Sequence, residues 1–113
     1  MRHAVERATG QVTATRDRVA GLPFRDVAIA QIEDVLGMGY AQALAADAWL
    51  MRAEHRLHEL IDDASPAGYG RELRRLAGER IAVREGVCAL RDELARLRGE
   101  HDRVRSGPIS ISA

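Results

Sequence analysis

The densest group of side chains able to do chemistry is Glu54-His55-Arg56-Leu57-His58-Glu59, followed by Asp62 and Asp63. On a helix, residues three and four apart are neighbours, so His55, His58 and Asp62 share one outward face and Glu54 sits one turn from His58. Imidazoles and carboxylates at these spacings are potential ligands for a divalent metal. A catalytic metal site also needs three protein ligands, a supporting second shell and an open position. The spacing departs from the Glu-x-x-His pairs of di-iron bundles. No metal site and no cofactor is therefore expected, and the cluster reads as a solvated helix face.

The same histidines suggest phosphotransfer, because such modules are helical bundles with one exposed imidazole. Leu57-His58-Glu59-Leu60 resembles the start of the His-Glu-Leu-Arg-Thr-Pro box of sensor kinases, a likeness that implies His58 as phosphoacceptor. The Arg-Thr-Pro portion is absent. Glycine-rich phosphate loops, Cys/His zinc spacings and nucleophile motifs are also absent, so no enzyme is expected. A histidine-based phosphotransfer or metal-binding bundle using His55 and His58 stands as the alternative function.

Charge narrows the partners. The 17 cations are all Arg, with no Lys, and 17 Asp and Glu balance them. A neutral chain lacks the cationic excess behind non-specific phosphate affinity, so no nucleic-acid partner is expected. Val35 to Gln42 resembles the first helix of a helix-turn-helix, but no turn and no basic recognition helix follow. The opening MRHAVERATG lacks the apolar core of a signal peptide, and the longest uncharged run, Val35 to Ala46, is too short to span a bilayer. Cys88, the single cysteine, has no intrachain partner. The expectation is a soluble cytoplasmic protein with no membrane partner.

The elements that position these residues are marked out by breakers. Gly21-Leu22-Pro23, Ser65-Pro66-Ala67-Gly68-Tyr69-Gly70 and Ser106-Gly107-Pro108 close three segments rich in Ala, Leu and Val, which favour helix. Helices are predicted over about 4–20, 24–63 and 71–105, in one helical domain spanning 1–113 with a frayed tail at 106–113. Gly21 is expected to cap the first helix, Pro23 to open the second and Ser65 to serve as an N-cap or turn residue.

Apolar residues in the second segment recur at spacings of three and four through Ile29, Ile32, Leu36, Gly39, Ala43, Ala46, Leu50, Ala53, Leu57 and Leu60. The third repeats the rhythm through Leu73, Leu76, Val83, Val87, Leu90, Leu94, Leu97 and Val104, with polar Arg80 and His101 in the series. Both are heptad seams of a left-handed coiled coil. The two polar seam residues are expected to fix register by reaching Glu54 or Glu100.

Two pairings compete. The third segment alone places Glu79, Glu93 and Glu100 against Arg84, Arg98 and Arg105 as a parallel zipper would, which carries a third function, a dimeric transcription regulator. An antiparallel hairpin of segments two and three instead aligns Leu57 with Leu76, Leu50 with Val83, Ala43 with Leu90 and Gly39 with Leu94 in one register centred on Pro66. Small residues then oppose large ones, which lets the helices approach closely. Along its flanks Asp26, Glu33, Tyr40 and Asp47 are expected to meet Arg105, Arg98, Arg91 and Arg84, with Arg56 on Glu79, Trp49 lying on Gly86 and Asp63 repelling Glu72. The expected fold is all-α: a long antiparallel coiled-coil hairpin with the shorter N-terminal helix packed along it.

Leu44, Met51, Ile81 and Cys88 lie outside the seam on one side of that hairpin and level with one another, forming an apolar patch. One reading has the first helix cover it with Val5, Val12 and Val19. The other makes it a partner-binding surface for self-association or for another helical protein. The function expected is a non-enzymatic coiled-coil interaction or scaffolding module that self-associates.

Overall fold

The structure, a computed structural model, describes residues 1–62 and 69–107. It is an all-helical bundle of α1 (Arg2–Val19), α2 (Arg25–Asp62) and α3 (Tyr69–Ser106). No strand occurs among the described residues. The bundle measures 76 × 17 × 15 Å, a rod one helical hairpin long.

The antiparallel register holds. A Cβ placed on Gly39 would stand 2.4 Å from Leu94 Cδ2, so these two residues share a layer as the heptads require. Ile32, Ala43, Ala46, Ala53, Leu57 and Leu60 of α2 are buried, as are Val83, Val87, Leu90, Leu94 and Leu97 of α3. The α3 seam is thus consumed by α2. A helix-3 zipper between chains would require the hairpin to open.

The helix ends differ from expectation in detail. Gly21 does not adopt the left-handed cap; α1 ends in a tightened turn, with Gly21 N–H donating to Arg18 O and Leu22 N–H to Val19 O. Pro23 precedes α2 rather than opening it, and the Phe24 carbonyl accepts the Ala28 N–H. Ser65, Asp63 and the tail from Pro108 lie outside the described residues.

With 18 residues, α1 is about 27 Å long, roughly half the length of either 38-residue partner. Its Val5, Ala8, Val12 and Val19 join one core with Ala28, Ile32, Ala43 and Ala46 of α2 and Val83 to Leu97 of α3. Arg16 Nη1 lies 3.4 Å from Glu93 Oε2 and the Met1 amino group 3.8 Å from Glu79, so α1 runs parallel to α3.

Candidate functional site

The edge that α1 occupies decides which surface is left free. Val5 sits over Gly86: a Cβ there would stand 3.1 Å from Val5 Cγ1. Gly86 was expected to receive Trp49, but Trp49 instead packs from the side onto the shared core. On this edge α2 offers Ala28, Val35 and Met38, and the acids of α3 meet Arg16 and the Met1 amino group. The opposite edge of α3 carries Arg84, Arg91, Arg98 and Arg105, all exposed. Burying that row of guanidiniums beneath an apolar helix would strip their hydration without supplying acids.

The first helix therefore does not cover Leu44, Met51, Ile81 and Cys88. Leu44 is 67% exposed, Met51 74% and Ile81 58%, and Cys88 is a free, exposed thiol. Large aliphatic side chains at such exposure lose the ~1.5–3 kcal/mol that full burial of each provides. They share one face because b-type heptad positions of both helices project on the edge remote from α1.

The ion pairs bordering this face are shifted one heptad from the expected ones. Arg91 Nη2 lies 2.5 Å from Asp47 Oδ2, and Arg98 bonds Tyr40. Arg84 makes no ion pair among the described residues. Helical side chains lean toward their own N-terminus, so residues slightly past each other in an antiparallel pair lean together, whereas the expected partners lean apart. The hydrogen bond that Arg98 donates to the Tyr40 oxygen, then the charges of Tyr40 and Asp102, raises the pKa of the guanidinium above its ordinary value. Arg56 bonds Glu72 and Glu59, while Glu79 faces the Met1 amino group. Arg25 reaches the Arg105 backbone carbonyl, and Asp26 takes no part.

Both polar seam residues find acids. Arg80 Nη2 lies 3.7 Å from Glu54 Oε1, the expected partner. His101 turns to Glu33 rather than Glu100, with Nε2 3.4 Å from Glu33 Oε2 and Nδ1 3.7 Å from Asp102 Oδ1. That approach is out of line for a hydrogen bond, which leaves the buried Nε2 without a partner. His101, Glu33, Asp102, Arg98 and Arg105 border a shallow cleft of about 380 Å³.

The His55 and His58 cluster is exposed, and His55 Nε2 lies 3.0 Å from Glu59 Oε1. Among the described residues, no three His, Cys, Asp or Glu side chains converge as metal ligands would. No described helix is long and apolar enough to cross a membrane.

No protein-family model matches the chain, and neither a characterised protein nor a solved structure shows significant similarity to it. The sequence reading located the apolar face but missed which edge α1 would take. Gly86 between Glu79 and Glu93, level with Trp49 across the hairpin, is the signal for a docking groove.

Proposed function

We propose that this protein is a non-enzymatic coiled-coil interaction or scaffolding module that self-associates through the face α1 leaves open. The supporting observation is the exposure of Leu44, Met51 and Ile81 on one edge while α1 fills the other. Contiguous apolar side chains rimmed by charges are the usual makeup of an association surface. Asp47–Arg91 and Tyr40–Arg98 border the patch and would steer a partner into register. Action in the cytoplasm, with the chain itself or another helical protein as partner, belongs to the same reading.

Site-specific photo-crosslinking in the native host tests it. A photoreactive residue at position 44, 51 or 81 is expected to trap partner chains, whereas one at Arg7 or Gly99 does not. Equal trapping at all positions overturns the reading. The His55→Gln/His58→Gln variant is expected to keep the adducts; loss of them would favour histidine chemistry.

A further inference from the structure

Helix α2 carries a second heptad seam that the hairpin does not use. Gly37, Ala41, Leu44, Ala48 and Met51 follow spacings of four, three, four and three on its outer face, and all five are exposed. From Val35 to Ala46 the helix bears no charge, although only its inner faces meet α3 and α1. Such a seam matches the surface one coiled-coil helix presents to another.

We infer that this seam docks against the same seam of a second copy of the chain, antiparallel, about a twofold axis at Leu44. The inference rests on the interaction-module reading and names its partner. Three features select a second copy in this orientation. Reversal about Leu44 puts Gly37 opposite Met51, the smallest residue of the seam against its longest, and nothing lies within 4 Å of a Cβ built on Gly37. It brings Ala41 within one residue of the height of Ala48, so the backbones approach closely at two symmetric points. At the seam's ends it brings Asp34 within one residue of the height of His55 of the second copy, an acid beside a base, twice over, while Glu54, level with Asp34, turns inward to Arg80 3.7 Å away.

A parallel pairing fails on each count. It would set Asp34 on Asp34 and His55 on His55, crowd two Met51 side chains together and leave a void at Gly37. In the antiparallel arrangement Asp47 approaches its own mate near the axis, but each carboxylate is already held by Arg91 at 2.5 Å. Ile81 and Cys88 border the contact on the α3 side.

The full-length chain is tested by light scattering across concentration, with oxidative cross-linking of variants. Wild type is expected to reach twice the monomer mass. In a Cys88→Ser background, Leu44→Cys is expected to yield a covalent dimer, because a residue on the axis meets its own mate; Gly99→Cys is expected not to. Asp34→Arg is expected to weaken dimerisation about tenfold, since the axis makes each lost pair count twice, and Asp34→Arg/His55→Asp to restore it. A monomer at every concentration overturns the inference. So does a dimer that Leu44→Cys fails to link and Asp34→Arg leaves intact, although that result keeps self-association itself. Photo-crosslinking to a different protein at position 44, from a chain that is monomeric alone, keeps the module and rejects the second copy.

Discussion

Leu94 occupies the space that a side chain on Gly39 would need: Cδ2 lies 2.4 Å from the position of a Gly39 Cβ, inside a fully buried layer. The missing side chain is what lets α2 and α3 approach at mid-hairpin. A glycine inside a helix costs about 0.5–1 kcal/mol relative to alanine, so its place here is a packing requirement rather than a helical preference. Gly39→Ala is expected to lower stability by about 1 kcal/mol, because overpacking of ~1–3 kcal/mol exceeds the helical gain. Gly99→Ala, where nothing lies within 4 Å, is expected to raise it by ~0.5–1 kcal/mol. Thermal unfolding of the two variants checks the contrast, and stabilisation by Gly39→Ala would refute the close approach.

Gly86 plays the corresponding part for α1. A Cβ built on it would lie 3.1 Å from Cγ1 of Val5, which is fully buried. Gly86→Leu is expected to lift the N-terminal half of α1 off the hairpin. Hydrogen exchange of amides in Val5 to Val12 should then accelerate at least tenfold, while α2 and α3 amides near Leu90 keep their protection.

The heptad shift of the flanking charges is measurable by double-mutant cycles. Asp47→Ala with Arg91→Ala is expected to show a coupling energy of about 0.2–1 kcal/mol, the range for exposed pairs. Asp47→Ala with Arg84→Ala is expected to show none. The reverse outcome would restore the partners that periodicity alone suggests.

His101 stands in an otherwise apolar seam with its side chain 12% exposed and Nε2 without a hydrogen bond. His101→Leu removes an unsatisfied buried polar atom and fills the layer with a hydrocarbon. A gain of about 1 kcal/mol in chemical denaturation is expected. If the same variant also broadens the mass distribution in solution, His101 serves to exclude slipped pairings.

The hairpin was legible because every layer from Leu57–Leu76 to Gly39–Leu94 repeats the same evidence, and one slipped heptad would misplace all of it. The side-chain pairs on its flanks were not, since spacing gives the height of a Cα and not the direction in which its side chain leans. Asp47 therefore meets Arg91 instead of Arg84. The face formed by Leu44, Met51, Ile81 and Cys88 was visible as b-type heptad positions, but its exposure depended on where α1 lay.

Periodicity by itself determined the apolar seams of α2 and α3 and the one antiparallel register in which they align large against small residues, with the parallel α3 zipper as its rival. Only the tertiary structure decided the edge taken by α1. Val5, Val12 and Val19 offer an apolar stripe that fits either side, and a stripe has no preference until its neighbours do. Close approach at Gly86 and the acids Glu79 and Glu93 favour one edge, while the row of arginines beside Cys88 must keep its water and holds the other edge open.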